Sequence, residues 1–380
     1  MTSSHPADYS RFLDREARSL KRAGYDVAII GLGKESGVIL KNGIKLINVS
    51  ECRGLRKIQT LREIARLAIK QRADIYQCVD PWCLGIGLGI KRCLQDVKII
   101  YESCEWFPQM YLDRSDFPLP LRIAGWLIVT FLEYQAGKRA DEMIETNLLR
   151  AERFLRRRRK AKQVPNYAPL DLVREPLPER KPWFVYTGLI CRPRGFDLLL
   201  QALAMVKQRF PAVRLLVRGE FDPRADIERW AKRFITENHL EENVQFLERV
   251  DSYAEVFEII KPCLAGVILL QPQRGNDWTN QPSKLFEFML AGVAVVASNF
   301  PEIARVVNDA QCGWLVDPTK PEAIATALCS VLENQKEAIR RGSSGRRAVE
   351  DKYNWRNAEN VLLEIYQRLC EKKVTDNGVS

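Results

Sequence analysis

The sequence predicts an α/β protein of two Rossmann-like domains, and three observations carry that expectation. Buried-strand patterns alternate with helical ones along nearly the whole chain. The alternation breaks once, across five prolines from Pro165 to Pro182, and then restarts. The chain has 380 residues, more than one hydrophobic core ordinarily serves.

In the first half, Phe12–Ala23 has helical spacing, and Tyr25–Gly31 and Ile44–Val49 read as strands. Leu55–Gln71 is a helix, Ile75–Val79 a strand, Pro81–Cys93 a helix and Val97–Tyr101 a strand. Two helices, Leu121–Lys138 and Asn147–Lys162, precede the prolines. After them, Trp183–Gly188, Val213–Gly219, Val244–Phe246, Gly266–Leu270 and Val293–Ala297 are strands. Between and after them, Phe196–Arg209, Ala225–Glu237, Lys284–Leu290, Pro321–Glu333 and the stretch Glu337–Glu371 are helices. The expected boundaries are 1–165 for the first domain, 166–182 for a linker and 183–350 for the second domain. A C-terminal helix at 351–371 can pack back on the first domain, ahead of a flexible tail at 372–380. Met1–Ser10 is loop-like, whereas a Rossmann-like half ordinarily opens with a strand. The first sheet is therefore expected to lack its first strand, through truncation or as a smaller natural sheet.

The net charge of +11 favours an anionic partner: a phosphorylated small molecule, a membrane surface or nucleic acid. No nucleic-acid recognition motif is present, so that class is set aside. Ten scattered cysteines without a C-x-x-C pair suit a reduced compartment. With histidine only at His5 and His239, a zinc site is not expected. No secretory leader is evident, and the expected location is the cytoplasm, with peripheral attachment to the inner face of a membrane as an extension. That extension comes from the apolar stretch Ile123–Leu132 with Trp106, Phe107, Trp126 and Phe131, and from the basic run Arg156–Lys162. Ordinary core packing and a solvated basic face are the plainer readings.

Two segments carry chemistry. In Asn280–Ile303, Pro282 and Ser283 precede a helix with Lys284 in its first turn. Ser283 is the expected N-cap. Free N–H groups at a helix start beside a lysine suit a diphosphate. Glu287, three residues on, can accept hydrogen bonds from a ribose diol. A solvated Lys–Glu pair on an ordinary αβ unit is the alternative. In Tyr186–Gly195 (YTGLICRPRG) a strand end, Gly188 and Arg194 again suit a phosphate, with Arg192 in support. A basic turn facing solvent is the alternative.

The run PSKLFEFMLAGVAVVAS from Pro282, followed by Pro301-Glu302-Ile303, resembles the donor-binding signature of retaining glycosyltransferases of family 4, with the GT-B fold. The resemblance implies two domains facing across a cleft. It places Glu287 on the nucleotide ribose and Pro282, Ser283, Lys284 and Leu285 at the phosphates. Where the family often has an earlier glutamate, Thr279 stands here, with Asn280 beside it. Arg194 matches the basic residue that neutralises the diphosphate, while Leu189 replaces a second common arginine. Gly219 and Val250 match positions beside the base. More loosely, Ser3–Glu16 resembles the loop and helix after the family's first strand, which makes His5 and Arg11 acceptor-side candidates. Tyr101–Pro108 (YESCEWFP) resembles a segment that usually reads D-x-H-E: Glu105 keeps the acid and Cys104 replaces the histidine. The implied catalytic set is Arg194, Lys284 and Glu105. The implied activity is transfer of a sugar, with retention, from a nucleoside diphosphate sugar to a glycan or lipid-linked acceptor, without metal or other cofactor. The alternative is a catalytically impaired relative that binds nucleotide or a partner enzyme. A nucleotide-sugar epimerase is a third, weaker option.

Overall fold

The computed structural model describes the chain except residues 53–55, 95, 114–116, 147–160, 173–177, 224–225, 249–252, 273–277, 280 and 377–380. Most of the expected helix Asn147–Lys162 and of the basic run Arg156–Lys162, together with Val250 and Asn280, therefore lies outside the described residues. The chain forms two compact units, Met1–Asn166 with Trp355–Ser380, and Tyr167–Asn354.

The first unit begins with a π-helical stretch, Arg11–Ala17, which continues as α1 (Arg18–Arg22). Strands β1 (Ala28–Gly33), β2 (Gly37–Lys41) and β3 (Ile44–Ser50) form one sheet in the order β1-β3-β2. The β2–β3 hairpin, absent from the sequence expectation, turns on Asn42-Gly43, both at positive φ as a tight primed turn requires. Strand β2 is exposed along its length, so it lacks the buried face that the periodicity search was looking for.

Helix α2 (Lys57–Gln71) leads to a second sheet of β4 (Ile75–Cys78), β5 (Lys98–Ser103), β6 (Glu142–Glu145) and β7 (Lys162–Gln163), all parallel. Between these strands run α3 (Pro81–Cys93), α4 (Phe107–Leu112) and α5 (Leu119–Arg139). In β5, Ile99, Ile100 and Tyr101 are all fully buried, as a parallel strand covered on both faces demands. The main chain of Met1 and Thr2 runs between β4 and β1. Met1 N donates to Gln77 O at 2.6 Å, Val79 N donates to Met1 O at 3.0 Å and Thr2 N donates to Ile30 O at 2.9 Å.

The second unit is one parallel six-stranded sheet of β8 (Lys181–Thr187), β9 (Arg214–Arg218), β10 (Val244–Leu247), β11 (Cys263–Ile268), β12 (Ala294–Ser298) and β13 (Gly313–Val316). The strand order is β10-β9-β8-β11-β12-β13. Helices α6 (Phe196–Arg209), α7 (Ile227–Glu237), α8 (Tyr253–Ile260), α9 (Ser283–Leu290), α10 (Pro301–Ala310), α11 (Pro321–Glu333) and α12 (Gln335–Asp351) connect and cover it. Separate apolar clusters fill its two faces. The winding reverses between β8 and β11, and a crevice opens outside the carboxyl ends of strands at such a switch point.

Part of the proline-rich segment is built into this unit. Tyr167 packs edge-on to Phe286 at 4.7 Å, and Ala168 is buried. The expected helical stretch Glu337–Glu371 divides at 352–354. Its last part, α13 (Trp355–Asp376), belongs to the first unit, where Tyr366 Oη donates to Gln77 Oε1 at 2.7 Å.

Candidate functional site

At the carboxyl end of β8 the chain turns at Gly188, with φ +99°, a conformation open to glycine and costly to other residues. The bare α-carbon makes room for two cations. A β-carbon there would lie 2.8 Å from Lys284 Nζ and 3.0 Å from Arg194 Nη1. Arg194 reaches this point from a single 3₁₀ turn, Arg192–Arg194, which Gly195 closes with φ +68°. Gly195 is pressed so closely on Leu269 O that a β-carbon would stand 2.4 Å from it. Lys284 reaches the same point from the first turn of α9, where main-chain N–H groups have no helical partner. Its ammonium donates to Thr187 O and lies 5.1 Å from the centre of the Tyr186 ring.

Loss of water and then the Arg194 charge pull the Lys284 ammonium down to about 7, against a smaller opposing effect of Glu287. Glu287 is buried one turn further along α9. Two cationic groups converging on one point repel each other, and an anion placed there would offset that repulsion.

The adjoining hollow holds about 260 Å³ and is lined by Gly188, Leu189, Arg218, Gly219 and Glu220. Sequence reasoning singled out Gly219 there but passed over Arg218 and Glu220. Their signal was available, because both flank the glycine at the end of β9.

Two expectations are corrected. Ser283 is not the N-cap of α9: the helix begins at Ser283, Pro282 holds the cap position, and no side chain caps it. Arg192 turns away from Arg194. It pairs with Asp197 Oδ2 at 2.7 Å and lies 5.1 Å from the Trp230 ring centre, because it precedes Arg194 by two residues on a tight turn. Pro282 and Leu285 take their places in the α9 start, with Leu285 N donating to Pro282 O at 3.1 Å. Thr279 lies among the described residues ahead of that start.

The acceptor-side candidates lie in the first unit. Asp80 caps α3, accepting from Trp82 N at 3.1 Å and Cys83 N at 2.9 Å, and it also takes Ser3 N at 2.5 Å. This anchors the N-terminal loop that carries His5. The His5 ring lies 4.8 Å from that of Tyr9 and 5.5 Å from that of Phe12. Burial lowers its proton affinity, and the nearby Glu105 carboxylate works the other way.

Arg11 is an internal counter-ion. It meets Glu102 at 2.7 Å and Glu16 at 3.0 Å, with all three side chains buried. Gln77 Nε2 donates to both carboxylates, and Arg11 also donates to Val164 O at 2.9 Å. Burial and the neighbouring Glu102 raise Glu16 well above the usual carboxylate range, whereas Arg11 keeps Glu102 below it. Cys104 Sγ donates to Glu102 Oε1 at 3.3 Å, and burial pushes this thiol well above its ordinary range. At neutral pH it stays a thiol and keeps its proton. Among the described residues no group of three or more His, Cys, Asp or Glu side chains could hold a metal ion.

Residues 171–348 match the family of glycosyl transferases group 1. A phosphatidyl-myo-inositol mannosyltransferase of Mycobacterium tuberculosis is 31% identical over 191 residues, which is 49% of this chain and 47% of that protein. The chain thus spans about half the length of the curated relatives it matches. The fold of the whole chain resembles that of a sucrose-phosphate synthase from Thermosynechococcus elongatus, with TM-score 0.76 and 17% identity over 98% of this chain and 95% of that one. It also resembles the Anabaena protein HepE in complex with UDP-glucose, with TM-score 0.73 and 14% identity over 97% and 98% of the two chains. Residues 171–348 therefore resemble the glycosyl transferases group 1 family, and the chain shares the two-unit α/β fold of these solved structures.

Proposed function

We propose that this protein transfers a sugar, with retention at the anomeric carbon, from a nucleoside diphosphate sugar to a glycan or lipid-linked acceptor. The observation that carries the reading is the meeting of Lys284 and Arg194 at Gly188, beside the hollow at the carboxyl ends of β8 and β9. In this reading the second unit takes the donor. Lys284, Arg194 and the N–H groups of α9 offset charge as it builds on the departing diphosphate, and Glu287 holds the ribose. The first unit supplies the acceptor side through His5 and Glu105, in the cytoplasm at the inner face of a membrane. The mannosyltransferase relative and the UDP-glucose complex of HepE support a nucleotide-sugar donor.

The half-buried Cys104 thiol, which keeps its proton, favours a second reading, a protein that binds nucleotide without turnover. The test is incubation of the full chain with labelled UDP- and GDP-sugars, with and without glycan and lipid-linked acceptors. Product anomers are then read by NMR. A retained glycosidic product is expected. Inverted product refutes retention, and nucleotide binding without transfer or hydrolysis moves the assignment to the second reading. Nucleotide affinity left intact by charge reversal at both Lys284 and Arg194 sinks both readings.

A further inference from the structure

Helix α5 buries one side in the first unit through Val129, Glu133 and Ala136. The opposite arc carries Leu121, Ile123, Leu127, Ile128 and Phe131, each between 43% and 59% exposed. Five large apolar side chains on the outer side of this 21-residue helix, about 30 Å long, exceed the scattered exposure of an ordinary surface.

The charges on this helix are of one sign where they meet water. Between Phe117 and Arg139 the only carboxylate is Glu133, which is buried and accepts from Tyr101 Oη at 3.0 Å. The cations are Arg122, which bonds Leu112 O, and the exposed pair Lys138 and Arg139. The Lys138 ammonium lies 4.4 Å from the Tyr134 ring centre, on the exposed arc. A second copy laid on this face by a two-fold axis would add further cations from its own α5, whose one carboxylate, Glu133, is buried. An anionic lipid surface supplies that charge and accepts the apolar side chains at the depth of its headgroups. Among the described residues no helix is long and apolar enough to cross a membrane.

From the charge and the exposure together we infer that the outer face of α5 docks on anionic lipid, with Leu127, Ile128 and Phe131 inserted and Lys138 and Arg139 against the headgroup phosphates. The inference deepens the lipid-side part of the function proposed above and rests on it for its biological role, while its test needs no sugar donor.

The full chain is sedimented with vesicles of phosphatidylcholine alone or with about a third phosphatidylglycerol. Binding to the mixed vesicles is expected to exceed binding to the neutral ones about tenfold. The variant L127S/I128S/F131S should lose at least about tenfold of that binding while keeping its UDP affinity and its thermal midpoint. The variant K138E/R139E should lose the preference for anionic lipid. The inference is overturned if the wild-type chain stays in the supernatant with both vesicles, or if the triple variant binds as well as wild type. It is equally overturned if sedimentation velocity shows a dimer that the triple variant dissolves while vesicles remain unbound. Loss of transferase activity with vesicle binding intact would count against the function proposed above and leave this inference standing.

Discussion

The α-carbon of Gly219 is pressed against the carbonyl oxygen of Gly188: a β-carbon at Gly219 would stand 1.9 Å from that oxygen. The ends of β8 and β9 thus meet without a side chain between them, and Gly188 N donates to Arg218 O at 2.8 Å across the same junction. Gly219→Ala must push the Gly188 turn aside, and with it the two cations seated there. The expected outcome is a loss of about 1–3 kcal/mol in urea unfolding, with a larger fractional loss of UDP affinity by calorimetry. Unchanged affinity would show that the turn plays no part in binding.

Lys284 is buried beside Arg194 at a cost to folding, and in the proposed function it holds the donor. Lys284→Met keeps the length of the side chain and removes the charge that Arg194 opposes. The thermal midpoint should hold or rise, while UDP affinity falls about 10–100-fold, the equivalent of one charge-assisted contact. A fall in both would mark Lys284 as structural.

The same lysine sets a pH dependence. Its ammonium titrates near 7 in the folded chain, against an unfolded value of about 10.4. Between those values the unfolded chain holds a proton that the folded chain lacks, so this residue's contribution to stability rises with pH across the window. Its cost is greatest below pH 7. A bound diphosphate favours the charged form, so UDP affinity should fall as pH rises above about 7, with proton uptake on binding. Calorimetry at pH 8 in buffers of different ionisation enthalpy measures the uptake, and Lys284→Met should abolish it.

Removing the 2′-hydroxyl of the nucleotide tests Glu287. Glu287→Gln should weaken UDP binding by roughly tenfold, about 1.4 kcal/mol, and should make little difference to 2′-deoxy-UDP. Equal losses for both ligands would move Glu287 off the ribose.

Within the first unit, Arg11→Met leaves the Glu102 carboxylate buried beside Glu16 without its cation. A loss of about 3–5 kcal/mol in urea unfolding is expected, with much of it recovered in Arg11→Met/Glu102→Gln. Full additivity of the two changes would mean that the pair does not interact.

The sequence by itself determined the elements whose pattern is local. Pro81–Cys93, Phe196–Arg209 and Pro321–Glu333 stand residue for residue where periodicity and first-turn prolines place them. It also marked Lys284, Arg194 and Gly188, because a short cationic residue set at a strand end and a helix start is legible along the chain. It missed β2, whose exposed residues carry no burial pattern, the short strands β6, β7 and β13, and the helices α4, α8 and α10.

Only the tertiary structure decided which arginine of the Arg192–Arg194 turn meets Lys284 at Gly188. The sequence puts Arg194 first with Arg192 in support, and the turn closed by Gly195 sends Arg192 to Asp197 and Arg194 to Lys284. The tertiary structure likewise decided that Arg11 is an internal counter-ion, since Glu102 lies 91 residues away and comes to it only when β5 is laid into the sheet. Propensity and capping act over a few neighbouring residues, whereas desolvation and charge pairing depend on what the folded chain brings together from far apart in sequence.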